Sequence, residues 1–287
     1  VIVVDNASTD GTPEYLQSLG GVTLIRNETN RGFPAAANQG MRAAKGRQVL
    51  LLNNDTVVTT GWLRRMLDAL QSDTAIGLVG PCSNQVSGEQ QIPVSYDGDL
   101  VGLDGFAWEW GKANDRRRER TDRLVGFCLL IRKELMDAIG VLDERFGVGC
   151  FEDDDYSLRA VVAGYLAIIA RDAFVHHFGG RTFVGAGVDY EALLRENRNL
   201  YLKKWRGAGD ETGARPAAPA RVSAAVPPAS PAVGPRILLI AHMDRLGGRM
   251  DKSHYRRYEA LARRPGMTQF GPGLPGERLV AAVVALV

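Results

Sequence analysis

"VIVVDNASTDGT", Val1 to Thr12, decides the fold class of this chain. Val1-Ile2-Val3-Val4 is an unbroken apolar run, the pattern of a parallel strand covered on both faces. A polar turn follows, and Pro13 then suits the first turn of a helix, "PEYLQSL", that stops at Gly20-Gly21. The same succession recurs downstream. "VTLIRN" reads as a strand, "FPAAANQGMRAA" as a helix, "QVLLLNND" as a strand and "GWLRRMLDALQ" as a helix with Trp62, Met66 and Leu70 on one face. "IGLVG" is a further strand. Repeated βα units predict an α/β domain built on a sheet with flanking helices.

Farther out, residues 84–123 show no period and read as a long loop, of the kind that carries function. Its basic run, "DRRRERTDR", is interspersed with acids and reads as solvated. The other account is a contact for an anionic acceptor, such as a lipid-linked diphosphate, or for membrane headgroups. Regularity returns with "LVGFCLLIRKELMDAIG", a strand running into a helix. A helix over Tyr156–Ala163, the strand "YLAIIA", the segment "AFVHHFGG" and the amphipathic helix "YEALLRENRNLYLKKW" follow. Residues 207–235 are rich in Ala, Pro and Ser and predict a semi-extended linker between a domain at 1–206 and the beginning of a second α/β domain at 236–287, opened by "RILLIAHM". Both ends are apolar strands without a partner, so the chain reads as a fragment of something longer.

With 45% hydrophobic and 24% charged residues the chain is of the globular class. Lys+Arg of 35 against Asp+Glu of 33 leaves no global field to recruit nucleic acid. Three cysteines without a CxxC spacing suit a reducing compartment, and no apolar run approaches the roughly 18 residues of a membrane span. These features predict a cytoplasmic protein, with room for a peripheral contact at the inner membrane face.

Polar residues gather where predicted parallel strands end: Asp5-Asn6 after the first, Asn53-Asn54-Asp55 after the third. Ligands of open α/β sheets bind beyond the carboxyl ends of the strands, although Asp and Asn also simply favour turns. A hard ion such as Mg²⁺ or Mn²⁺ takes few protein carboxylates and lets a substrate phosphate complete its shell. Asp55 would supply one anionic oxygen and Asn53 or Asn54 neutral contacts. Mn²⁺ also tolerates an imidazole, which brings in the His176-His177 pair. Glu152-Asp153-Asp154-Asp155 precede a helix, where each acid gains roughly 0.3–1 kcal/mol from the helix dipole. Four adjacent acids resist joint ionisation, and one with a raised pKa can act as a base. Helix-start chemistry covers Asp154 and Asp155, the latter with Arg159 at i,i+4. Glu152 and Asp153 are the functional candidates.

"VIVVDNASTDGT", "NRGFPAAANQGMRAAKG", "VLLLNNDTVV", "GFCLLIRKELMDAIGVLDERF", "FEDDDYSLRAVVAGY" and "VHHFGG", in that order, resemble the family 2 glycosyltransferases over roughly residues 1–205. Those are inverting enzymes of GT-A fold, and the likeness is to bacterial members that build rhamnan, galactofuranan and O-antigen chains. The resemblance implies transfer from a nucleotide-diphosphate sugar to a glycan or lipid-linked acceptor, with Mg²⁺ or Mn²⁺. It makes Asp5, Asn6, Asn30 and Arg31 nucleotide contacts and sets Asn53-Asn54-Asp55 in the place of the DxD motif, with Asp55 on the metal. Asp153 becomes the catalytic base with Glu152 beside it, and His176, ahead of His177, the metal histidine. The family's first strand and helix are missing, and the tail resembles the start of a GT-B type domain. Two other readings stay open: an inactive nucleotide- or carbohydrate-binding module, and a receiver-type signalling domain with acids after strands one and three.

Overall fold

The computed structural model describes residues 1–19, 21–179 and 189–205, and the backbone of a strand at 281–286. The predicted linker at 207–235, the opening of the second domain from 236, Gly20 and Gly180 lie outside the described residues. Among the described residues the sheet has nine strands: β1 (Ile2–Asp5), β2 (Thr23–Arg26), β3 (Gln48–Leu52), β4 (Thr56–Val58), β5 (Ile76–Cys82), β6 (Arg118–Thr121), β7 (Cys128–Arg132), β8 (Leu166–His177) and β9 (Ala281–Leu286). Their order is β2-β1-β9-β3-β7-β5-β8-β4, with β6 also on β8. β1, β2, β3 and β9 are mutually parallel, whereas β7 runs against both β3 and β5. The sheet is therefore mixed, and the all-parallel receiver-type reading does not describe it. Residues 281–286, which the sequence places in a second unit, fill the position between β1 and β3.

The apolar runs behave as their pattern predicts. β1, β3 and β5 are buried along their whole length. Helices α1 (Thr12–Ser18), α2 (Phe33–Ala43), α3 (Trp62–Gln71), α4 (Leu103–Ala113), α5 (Lys133–Ile139), α6 (Glu152–Val162) and α7 (Tyr190–Trp205) flank the sheet. Pro13 sits in the first turn of α1, and Trp62, Met66 and Leu70 are all buried in α3. Each such side chain contributes about 1.5–3 kcal/mol by leaving water.

Residues 84–123 are more regular than their composition indicates. α4 buries Leu103, Ala107 and Gly111, spaced four apart on one face. The basic run is not a solvated loop: Arg118–Thr121 form β6, antiparallel to β8. Arg118 Nη1 reaches the buried Asp172 carboxylate at 2.6 Å, so its charge is matched where the strand docks. Charged side chains on such a strand also discourage pairing with another chain.

One close approach ties the start of α2 to the loop before α6. Gly32 (φ +79°) and Gly147 meet so tightly that a Cβ on Gly32 would stand 2.0 Å from the Gly147 carbonyl oxygen. Phe33 N–H donates to Val148 O at 3.0 Å beside it. Gly32→Ala combines a left-handed backbone with a clash against main chain, so we expect a loss of about 2–4 kcal/mol, read from urea melts.

Candidate active site

Three strand ends and one helix start converge on one rim of the sheet. Asp5 closes β1 and is fully buried; its Oδ1 accepts the Ser8 N–H at 2.8 Å, and Arg26 Nε lies 3.5 Å from its Oδ2. Asn6 is the hub of an amide network. It donates to Asn30 Oδ1 at 2.8 Å and accepts from Asn27 Nδ2 at 2.9 Å and from Arg31 N–H at 3.0 Å. Asn27 and Gln39 exchange two bonds of 2.9 Å behind it. Asn6 and the distant Asn30-Arg31 pair thus share one patch next to Asp5. Asn27 and Gln39 are new members of the site, because a single amide in a strand end or helix carries no spacing signal.

Asn53 follows β3, where its N–H donates to Phe127 O at 2.8 Å and its carbonyl accepts from Thr56 Oγ1 at 2.7 Å. Asn54 continues the turn to Asp55, whose carbonyl accepts from Phe178 N–H at 2.9 Å. β4 and β8 are antiparallel with Thr56 opposite His177, so the histidine pair arrives beside the Asp55 turn. The two rings have different neighbours. His176 Nδ1 contacts Tyr96 Oη at 2.6 Å, while its buried Nε2 has no protein partner. Burial, then the neighbouring His177, depresses its pKa to about 4. The resemblance points to His176 as the metal histidine, but the ring against Asp55 is His177, with Nε2 3.1 Å from Asp55 Oδ1.

That contact bears on a metal. His177 Nδ1 lies 2.8 Å from the Gln85 carbonyl, an arrangement that makes Nδ1 the donor. In the neutral ring Nε2 then presents a lone pair to a carboxylate, and Asp55 Oδ1 has no well-formed hydrogen bond from any protein group. Two facing acceptors repel unless a cation lies between them, either a metal ion or the proton of an imidazolium. Adjacent ligands about 2.1 Å from one octahedral ion stand roughly 3 Å apart, close to the observed separation. A histidine whose other nitrogen donates to a backbone carbonyl is also the usual oriented ligand. Among the described residues no group of three His, Cys, Asp or Glu comes together, so the chain would supply this pair and a substrate the rest.

α6 begins at Glu152, four residues ahead of the helix expected over Tyr156–Ala163, so all four acids occupy its first turn rather than precede it. They divide sharply. Asp153 Oδ2 accepts the Gly126 N–H at 2.8 Å, and its Oδ1 accepts Asp154 N–H at 2.9 Å. Asp154 pairs with Arg123 Nε. Burial and the adjacent Asp153 raise its pKa to about 6, against the pull of Arg123. Asp155 is not on an exposed face: it is fully buried and bonded to Arg159 Nε (2.9 Å), Lys204 Nζ (2.7 Å) and Trp205 Nε1 (3.0 Å). Glu152 is buried with an unpartnered Oε2, and burial followed by Asp153 raises its pKa well above the usual range. Burial thus favours the neutral form of Glu152.

Gly126-Phe127 links these parts. Gly126 holds Asp153, Phe127 O takes the Asn53 N–H, and the Phe127 ring stacks on His177 at 4.9 Å. Neither residue declares a role in the sequence, where both belong to the apolar lead-in of a strand.

The Glycosyl transferase family 2 model matches residues 1–140. The chain is 29% identical over 202 residues to the N-acetylglucosaminyl-diphospho-decaprenol L-rhamnosyltransferase of Mycobacterium tuberculosis, covering 62% of this chain and 66% of that protein. It is 29% identical over 194 residues to the O-antigen biosynthesis protein RfbC of Myxococcus xanthus, covering 62% of this chain and 15% of that one. The fold resembles the mannosyltransferase PcManGT from Pyrobaculum calidifontis, with a TM-score of 0.51 and 21% identity over 73% of this chain and 55% of that chain.

The state of Glu152 has a measurable consequence. Its carboxyl ionises near 4.5 when unfolded and well above that when folded, so it costs stability increasingly as pH rises from 4.5. Glu152→Gln, which keeps the neutral form, should be close to wild type at pH 4 and more stable than wild type at pH 7–8, in denaturant melts run across that range. Over residues 1–140 the chain is thus similar to the family 2 glycosyltransferases, and its sheet and helices are arranged as in the GT-A neighbour.

Proposed function

We propose that this chain is a metal-dependent, inverting glycosyltransferase that moves a sugar from a nucleotide-diphosphate sugar to a hydroxyl of a glycan or lipid-linked acceptor. The observation that carries this reading is the facing of Asp55 and His177 on the rim that also carries Asp153. Asp5 and the Asn6–Asn30–Arg31 patch form the nucleotide end. The Asn53-Asn54 turn, beside Asp55, would add further nucleotide contacts. Asp55 with His177, in place of the His176 that the resemblance implies, would hold Mg²⁺ or Mn²⁺. Such an ion supplies charge neutralisation for a departing diphosphate. The neighbour from Pyrobaculum was solved with GDP-Man and Mn²⁺, and the mycobacterial relative is named for a lipid-linked diphosphate acceptor.

The step needs one base. The acceptor hydroxyl oxygen bonds to the anomeric carbon as the bond from that carbon to the diphosphate oxygen breaks. The electron pair leaves with the nucleoside diphosphate, and the hydroxyl proton passes to Asp153. The anomeric configuration inverts. Asp153 is suited to this because Gly126 N–H fixes its carboxylate while the other nearby acids are engaged or neutral. Glu152, whose neutral form burial favours, adds little negative charge beside Asp153. Asn53 in place of a carboxylate is the feature that favours the second reading, a nucleotide-binding module without turnover. A peripheral membrane position would follow from a lipid-linked acceptor. Among the described residues no helix is long and apolar enough to cross a membrane.

Calorimetry with UDP, GDP and dTDP, with and without Mn²⁺, tests the reading. Mn²⁺-dependent binding of one of them is expected, and His177→Ala should remove the metal dependence; no binding by any of the three would overturn the proposal. In turnover of the matching sugar nucleotide, Asp153→Asn should cost at least about 10³-fold while binding stays within about twofold. Asp154→Asn should be mild by comparison. Binding without turnover in the unaltered chain would favour the module instead.

A further inference from the structure

α7 carries none of the candidate site residues, yet it grips the acid-bearing turn from both sides. The buried Asn197 points its amide nitrogen at three main-chain carbonyls: Phe146 (2.8 Å), Gly149 (2.7 Å) and Cys150 (3.1 Å). Those carbonyls converge because the loop is folded through unusual backbone. Gly147, Gly149, Cys150 and Phe151 all have positive φ, and the last two are not glycine. A non-glycine residue in the left-handed region costs on the order of 1–2 kcal/mol, so this conformation persists only where its surroundings impose it. Phe151 is the residue that caps α6, with Glu152 and Asp153 immediately after it.

Two turns farther along α7, Trp205 Nε1 and Lys204 Nζ both bond to Asp155 Oδ1. Lys204 extends to Asp143 Oδ2 at 2.8 Å, on the 3₁₀ turn that leads into the same loop. Asp153 thus lies between two anchor points on one helix, Asn197 before it and Trp205–Lys204 after it. From the opposite side the loop is held by the Gly32–Gly147 approach. Removing the Asn197 donor leaves the Gly149 and Cys150 carbonyls without it, leaves Phe146 O with the Gly149 N–H alone, and lets the strained turn relax. Asp153 would then leave the position set by Gly126.

We infer that α7 is a positioning element and that Asn197 is the positioning residue that holds Asp153 in its working place. The inference rests on the reading of Asp153 as the base. Asn197 touches neither donor nor acceptor; it acts through the backbone of residues 146–151. It differs from a simple stabilising contact in that its loss should move the proton-accepting group without disturbing the nucleotide end.

The test uses the full chain carrying Asn197→Asp, which keeps the shape and removes the donor, and separately Trp205→Phe, which keeps an aromatic ring and removes the Nε1 donor. Three readouts are compared with wild type. They are kcat and KM for release of nucleoside diphosphate from UDP-, GDP- or dTDP-sugars, the Kd of the matching diphosphate with Mn²⁺, and amide hydrogen exchange. Asn197→Asp should lower kcat by about 10²-fold, leave KM and Kd within about twofold, and accelerate exchange at residues 147–153 but not in β1 or β3. Trp205→Phe should shift kcat in the same direction by less. Unchanged kcat in both variants, or exchange that rises equally along the whole chain, would overturn the inference. If Asn197→Asp does not fold, the Trp205→Phe pattern decides alone. If Asp153→Asn retains turnover, it is the assignment of the base that fails, and local exchange at 147–153 still decides whether α7 clamps the loop. If the wild-type chain turns over none of the three donors, the same exchange comparison decides.

Discussion

The site depends on a dipeptide with no reactive side chain. Gly126-Phe127 enters β7, the strand that runs against the parallel half of the sheet, and so its backbone faces the carboxyl end of β3. From there one N–H orients Asp153, one carbonyl fixes the Asn53 turn and one ring packs flat on His177. Gly126 has no side chain, and a Cβ there would meet Asp153 Cβ at 3.3 Å. Asp153 and the Asn53–Asp55 turn, contributed by segments far apart in the chain, are therefore referenced to the same two peptide units. An error in one would be an error in both, and an arrangement tolerant of only small displacements needs such a shared reference.

Electrostatics then sort a cluster that looks uniform in sequence. Four neighbouring carboxylates in one helical turn cannot all stay charged without partners. The fold provides Arg123 for Asp154, and Arg159, Lys204 and Trp205 for Asp155. Glu152 receives none of these and is buried, so the neutral form is favoured. Asp153 receives backbone N–H bonds alone. Each carboxylate differs from the next because helical geometry turns it by about 100° toward a different neighbour.

Much of the fold is legible in sequence, for a physical reason. Strands buried on both faces must be apolar throughout, so Val1–Val4 and Val49–Leu52 declare themselves. The helical period places Trp62, Met66 and Leu70 on one side without further information. β6 escapes such a reading because its composition is polar, and α4 because glycines interrupt its apolar face. Leu103 and Ala107 are buried there with Phe106 and Trp110 packed beside them, and Arg118 is acceptable in a sheet only because Asp172 waits behind it. The candidate site is half legible. Asp5, Asn6, Asp55 and the acid block stand at strand ends or a helix start, where polar residues mark ligand-facing edges. Gly126, Phe127, Asn27, Gln39 and Asn197 act through single hydrogen bonds or ring contacts that leave no pattern in the chain.

The sequence by itself determined that apolar strands and amphipathic helices alternate, that acids and amides collect where those strands end, and that two histidines follow the last long strand. Those properties are local, set by side-chain hydrophobicity, turn chemistry and period. Only the tertiary structure decided which histidine faces Asp55, which of four carboxylates stays available, and that a helix well beyond the acids holds their loop in shape. Such choices depend on which groups meet across the sheet, and the reversal of β7 and the close approach of Gly32 to Gly147 set that meeting.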